Sequence, residues 1–176
     1  MENKNNQIKE NSESSEISTE TNLVSKSMVS ETDKYTIHKD VDGKYSRRAK
    51  YIEFSSITAS SREEKIWLLN LLEGAEDSGY GMKEHVGETI EVQDIVIRPY
   101  DSIDEFTGEL EYGVLTYLIT PDRKAYVTSA KSVYFSINRI MEVFGKPNTE
   151  EWENVKVLIG KTKMENGDAI NIKMVG

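Results

Sequence analysis

The chain has 176 residues, including 22 Lys or Arg, 31 Asp or Glu and no Cys, and its net charge is −9. This length fits one domain with a tail, and the absence of Cys excludes disulfide bonds, thiolate zinc sites and a cysteine nucleophile. The longest uncharged run has 10 residues, whereas a bilayer span needs about 20, and no signal peptide follows the first Met. The net negative charge opposes binding to nucleic acid.

The N-terminal fifth differs in composition from the rest of the chain. Residues 1–34 are rich in Asn, Glu, Ser and Thr and carry a net charge of −3. Such a segment cannot bury enough apolar surface to offset the entropy of ordering it. We therefore predict a disordered acidic tail over residues 1–34 and a folded domain over residues 35–176.

Cations and tyrosines alternate just before the first predicted strand of the body. Residues 44–51 read KYSRRAKY, and Arg47 and Arg48 are candidate DNA contacts in this run. Such a run can hold phosphates and stack on bases. The alternative is a solvated linker that leads into a strand over residues 50–57.

A helix is predicted next. Residues 61–64 form a capping box, in which Ser61 and Glu64 satisfy each other's exposed amides. The apolar residues between 66 and 72 give the helix a wide apolar face. Gly74 is predicted to end it, and a loop follows over residues 77–82.

The pattern then becomes β. Ile90 and Val92 alternate with polar residues, and Ile95 and Ile97 alternate in the opposite phase. The phase switch at residues 93–94 requires one extra residue, which a β-bulge supplies. A strongly bent first strand is one way to close a small barrel.

The remaining elements follow in an order that indicates a fold. A polar loop over residues 100–110 separates the bent strand from the second strand. The second strand, a tight turn, the third strand, a helix, and the fourth and fifth strands are predicted over residues 112–120, 121–124, 125–129, 130–144, 155–164 and 170–174. The helix ends at Gly145 and Pro147, and Asn166-Gly167 indicates a hairpin. The chain is therefore predicted to be mainly β, with an OB-fold-like five-stranded barrel, a helix between strands 3 and 4, and an N-terminal strand–helix addition.

No pattern indicates catalysis. The two histidines, His38 and His85, are far apart in the sequence and lack metal-ligand spacing. No nucleophile has a base at a suggestive spacing, and no glycine motif for phosphate is present. Paired acids such as Asp104-Glu105 are better explained as solvated surface. We expect a protein that is not an enzyme and needs no metal or other cofactor.

The charge is unevenly distributed, which favours binding. Residues 35–120 carry a net charge of −8, whereas residues 121–176 carry +2. Cations that track phosphates and rings that stack on bases can bind single strands. The candidate contacts on the predicted barrel are Arg123, Lys124, Lys156, Lys161, Lys163 and Lys173, with Tyr112, Tyr117 and Tyr126 as stacking candidates. Strand alternation also allows any of these tyrosines to be core instead.

Three stretches carry a family resemblance. They are residues 87–95, GETIEVQDI, then residues 126–147, and then residues 155–175. Through them, residues 50–176 resemble the small single-stranded DNA-binding proteins of phages and mobile elements of Gram-positive bacteria. The resemblance implies an OB-like fold, sequence-tolerant binding of single-stranded DNA in phage replication or recombination, and a place in the cytoplasm of a bacterial host. It leaves out residues 1–49.

A second hypothesis remains open from the sequence alone. An acidic phage protein could bind a host protein as a DNA mimic or a defence inhibitor, as the charge of −9 and the acidic run over residues 101–111 suggest. A third is an accessory module of a replication complex. Recruitment of replication or recombination proteins by the tail, and a homo-oligomer formed at strand edges, are compatible with the sequence, and no membrane partner is expected.

Overall fold

The computed structural model describes residues 27–31, 35–39, 45–77, 81–103, 108, 110–165 and 167–176. Most of the predicted acidic tail lies outside these residues. Its last part differs from the prediction, because residues 27–31 form a strand although the tail was expected to reach residue 34.

A small antiparallel sheet comes first. It contains β1 (Ser27–Glu31), β2 (Tyr35–Lys39) and β3 (Tyr45–Ala49), paired in the order β1-β2-β3. The register places Arg47 opposite Ile37 and Arg48 opposite Thr36. Residues 45–49 of the run that alternates cations with tyrosines therefore form a paired strand and not a linker.

The predicted strand–helix addition follows. It contains β4 (Phe54–Ser55), which is shorter than predicted, and α1 (Arg62–Asp77). The capping box is confirmed, because Ser61 Oγ accepts a hydrogen bond from Glu64 N at 3.1 Å and Glu64 Oε2 accepts one from Ser61 N at 3.0 Å. The prediction that Gly74 ends the helix is wrong. Ala75, one residue further on, is buried against the sheet, and this packing favours continuing the helix.

The bent first strand runs through both sheets of the main body. It consists of β5 (Thr89–Glu91) and β6 (Asp94–Ile103). At the interruption, Val92 N donates to Val155 O and Gln93 N donates to Ile119 O, both at 2.8 Å, so consecutive amides bind opposite sheets. The phase switch predicted at residues 93–94 is confirmed to within one residue. It places the alternating residues of both halves in one core.

Five further elements complete the body. They are β7 (Leu110–Ile119), β8 (Ala125–Thr128), α2 (Lys131–Phe144), β9 (Lys156–Met164) and β10 (Gly167–Val175). The polar loop was predicted over residues 100–110, but residues 100–103 and Leu110 belong to paired strands, and Ile103 lies opposite Leu110. The hairpin between β9 and β10 is confirmed. Met164 lies opposite Gly167, so Gly167 is the first residue of β10 and not a turn residue as predicted. Asn166 lies outside the described residues.

Two sheets and two helices enclose two cores. The sheets have the orders β4-β6-β7-β8 and β10-β9-β5. Both of these sheets and α2 bury the main core. The helix α1 covers the other face of the β4-β6-β7-β8 sheet and buries a second core there. The predicted mainly-β fold is confirmed. No closed barrel forms among the described strands, because β8 and β10 are not paired.

Candidate nucleic-acid interface

Two of the predicted cations lie beside α1. Arg123 has a φ of 63° in the turn between β7 and β8, and its guanidinium carbon lies 4.9 Å from the ring centroid of Trp67 in α1. Lys124 Nζ lies 2.8 Å from Asp122 Oδ2. Arg123 and Lys124 are therefore exposed turn residues beside α1, and they do not join the cations of β9 and β10.

The cations of β9 and β10 divide into two groups by strand alternation. Lys161 and Lys163 lie where the hairpin arm extends beyond the core, and Lys161 Nζ lies 3.0 Å from Asp168 Oδ2. Lys156 and Lys173 lie on the outward face of the same sheet, where Lys156 is opposite Glu91. All four lysines are exposed. The six cations predicted on the barrel thus occupy three places and not one groove, while Arg47 and Arg48 lie apart from them in β3.

The predicted stacking tyrosines also separate. Tyr112 is 39% exposed on β7, opposite Asp101. Tyr117 is fully buried in the core beneath α1, and Tyr126 is buried in the main core with its ring edge-on to His85 at 4.9 Å. Buried rings cannot stack on a base, so only Tyr112 of the three remains a candidate for stacking.

A different tyrosine lies across the exposed part of the β6–β7 arm. Tyr100 is 39% exposed, and its register partner is Gly113. A Cβ atom at Gly113 would lie 2.1 Å from Tyr100 Cζ, so the ring rests directly on the glycine backbone. A glycine inside a strand often marks such a close approach. The ring therefore lies against the backbone of Gly113 with part of its surface exposed.

Tyr100 neighbours an aromatic cluster formed by Tyr51, Tyr134 and Phe135. The rings of Tyr51 and Tyr134 meet edge-on at 5.1 Å, and those of Tyr134 and Phe135 at 5.2 Å. Burial and the neighbouring Tyr134 and Tyr100 raise the pKa of Tyr51 above its ordinary value of 10.0. Tyr134 Oη accepts a hydrogen bond from Ile52 N at 3.1 Å, which ties the segment before β4 to α2.

The first turn of α2 connects this aromatic cluster to the cationic arm. Ser132, two residues before Tyr134, donates a hydrogen bond from Oγ to the carbonyl oxygen of Ile170 in β10. Ile170 is the register partner of Lys161. Partly exposed rings and the lysines of the β9–β10 arm therefore adjoin the same end of α2. This is the combination that sequence-tolerant single-strand sites use.

Comparison with known proteins identifies the family. A family model described as Phage Single-stranded DNA-binding protein matches residues 47–173. This chain belongs to that family. A protein named Single-stranded DNA-binding protein, from Bacillus phage GA-1, is 43% identical over 151 residues, which cover 85% of this chain and 88% of that protein. No solved structure matches.

Membership in the phage single-stranded DNA-binding protein family confirms the predicted resemblance and extends it. The family match begins at Arg47, inside β3. The alignment with the phage GA-1 protein is too long to fit within residues 47–176, so it includes part of the N-terminal region that the predicted resemblance left out.

Within the described ranges, no three His, Asp or Glu side chains are grouped to hold a metal ion. The helices of that part of the chain are too short or too polar to cross a membrane.

The sequence did not identify Tyr100 as a site residue, although Gly113, a glycine within a predicted strand, signalled that a ring or backbone lies close there.

Proposed function

We propose that this protein binds single-stranded DNA without strong sequence preference, as a non-catalytic protein of phage DNA replication or recombination in the host cytoplasm. The observation that carries the proposal is the 43% identity with a phage protein named for this binding, over 85% of the chain. The aromatic cluster beside the β9–β10 lysines supports it with a suitable surface.

We also propose that the two sheets correspond to an OB-like barrel left partly open. The five body strands follow the order β8-β7-β6 in one sheet and β5-β9-β10 in the other, with β5 and β6 as halves of one bent strand. The helix α2 lies between the third and fourth of these strands in the chain. OB-folds are five-stranded, partly open Greek-key barrels that bind oligonucleotides near the loops joining strands 1–2 and 4–5. The β6–β7 and β9–β10 arms occupy those two positions.

In the proposed mechanism, the DNA backbone follows the β9–β10 arm, while the nucleotide bases stack where the β6–β7 arm leaves the body of the protein. Lys161 and Lys163 neutralise phosphates, Tyr112 offers a partly exposed ring on the main-core face of the β6–β7 arm, and Tyr100 offers one on the opposite face of that arm. Lys156 and Lys173 are a separate pair of phosphate contacts on the outward sheet face. Because every base has a π-face, stacking tolerates any sequence.

A titration of labelled oligo-dT, followed by fluorescence anisotropy at several salt concentrations, tests this proposal. We expect salt-sensitive binding to oligo-dT, much weaker binding to duplex DNA, and a loss of about 1–3 kcal/mol for Tyr100→Ala. Tyr100→Phe keeps the ring and should retain the affinity. The absence of oligo-dT binding at low salt would contradict the proposal and favour the DNA-mimic hypothesis.

A further inference from the structure

The N-terminal sheet has a composition unlike that of the whole chain. Strands β2 and β3 contain no Asp or Glu among their ten residues, although the protein carries a net charge of −9. Six of these residues are cationic, imidazole-bearing or aromatic with a hydroxyl: Tyr35, His38, Lys39, Tyr45, Arg47 and Arg48. Antiparallel pairing brings the two strands into one small sheet. Strands β2 and β3 therefore bring cationic and aromatic residue types together, whereas β1 of the same sheet contains Glu31.

This sheet is connected directly to the aromatic cluster. β3 ends at Ala49, and Lys50 alone separates it from Tyr51. Consecutive Cα atoms are 3.80 Å apart, so Ala49 and Tyr51 lie within about 7.6 Å of each other. Tyr35 is the register partner of Ala49, one strand spacing of about 4.8 Å away. The near end of the sheet is thus held beside the aromatic cluster by covalent connection.

The edge position of β3 gives it a further capacity to bind. In the order β1-β2-β3, β3 has one neighbour among the described strands. An edge strand has backbone N–H groups on its outer side, and backbone N–H groups contact phosphate oxygens in many DNA complexes. Charged residues on an edge strand also have another common role, which is to prevent aggregation through strand pairing.

We propose that β2 and β3 form a second contact surface for the same DNA strand, continuing its path beyond the aromatic cluster. The inference rests on the proposed function, since it lengthens that binding site. Arg47, Arg48 and Lys39 supply charge for phosphates, and the sheet adds contacts that a short oligonucleotide bound at the aromatic cluster does not reach.

The test compares two double variants of the full chain that remove the same charge. Arg47→Ala/Arg48→Ala removes two cations from β3, and Arg62→Ala/Lys65→Ala removes two exposed cations from α1. Both are titrated with oligo-dT of about 4 and about 16 nucleotides, the range of site sizes for one OB-fold. Each lost phosphate contact flattens the salt slope by about 0.7 for single strands.

We expect the β3 variant to lose affinity for the longer oligonucleotide, with a slope flatter by about 1.4, while the α1 variant keeps the wild-type slope. Arg47→Lys/Arg48→Lys should retain the slope, because it keeps the charge. Equal behaviour of the two alanine variants, with wild-type binding intact, overturns the inference and leaves the proposed function standing. Aggregation of the β3 variant with unchanged binding by its monomer also overturns it, in favour of edge protection. Failure of the wild-type protein to bind either oligonucleotide overturns the proposed function itself.

Discussion

Gly113 is as important to the proposed stacking surface as the ring that rests on it. Changing Gly113 to Ala puts a Cβ atom 2.1 Å from Tyr100 Cζ, so the ring must leave its position on β7. We expect Gly113→Ala to weaken oligo-dT binding by about 1–3 kcal/mol, as loss of one stacked base would.

Gly81→Ala is the matched control for this change. Gly81 has a φ of −60°, and a Cβ atom there would have no heavy atom within 4 Å. Anisotropy titrations, with circular dichroism to verify folding, compare the two variants. Wild-type affinity for a folded Gly113→Ala protein would show that the position of Tyr100 does not matter for binding.

The sequence does not distinguish the tyrosines that are buried from the one that is exposed. Tyr112, Tyr117 and Tyr126 lie on neighbouring strands and were equivalent candidates for stacking. Tyr117 is buried because α1, from a distant part of the chain, packs on that face of the sheet. Strand alternation indicates which residues share a face, but the element that covers the face depends on tertiary packing.

At the scale of elements, sequence patterns predicted a feature correctly where the contacts that determine it lie within a few residues. The capping box, the phase switch in the bent strand and the end of α2 at Gly145, which has a φ of 74°, each depend on a few consecutive residues. The extension of α1 past Gly74 and the pairing of Ile103 with Leu110 depend on partners that propensity does not identify. Local patterns therefore predicted most elements, and packing determined their lengths.

The capping box of α1 predicts a specific dependence of stability on pH. Hydrogen bonds from the Ser61 and Ser60 amides, and then from the Ser60 hydroxyl, lower the pKa of Glu64 from its ordinary value of 4.5. A lowered folded-state pKa stabilises the fold above the unfolded value, and this contribution is lost as the pH falls through the folded value.

Glu64→Gln should therefore lower the free energy of unfolding at pH 7, and the difference from wild type should shrink below pH 4.5. Urea denaturation across this range measures it. Glu63→Gln is the control, since Glu63 makes no hydrogen bond to these amides in the described part of the chain. A Glu64→Gln effect that is constant with pH would argue against the carboxylate as the cause.

At the scale of the whole molecule, the net charge of −9 describes solubility and long-range repulsion more than the site. Exposed charges further apart than a Debye length, about 8 Å at physiological ionic strength, are largely screened. A strand of DNA at the β9–β10 arm is therefore affected mainly by Lys161, Lys163, Glu165 and Asp168. The proposed affinity for DNA depends on the balance of charges next to the bound strand, which the net charge of the whole chain does not indicate.

Asp168 is the acid that opposes the DNA backbone most directly in this arrangement, because its Oδ2 lies 3.0 Å from Lys161 Nζ. Asp168→Asn removes that negative charge and frees Lys161 for phosphate. Exposed ion pairs contribute about 0.2–1 kcal/mol, so we expect oligo-dT binding to strengthen by about 1.4- to fivefold at low salt and the gain to fade at high salt. Asp122→Asn is the matched control, since Asp122 pairs with Lys124 beside α1 and its loss changes the net charge equally. Anisotropy titrations of both variants distinguish a local effect from a global one: equal strengthening would show that long-range charge dominates, whereas strengthening by Asp168→Asn alone would support DNA at the β9–β10 arm.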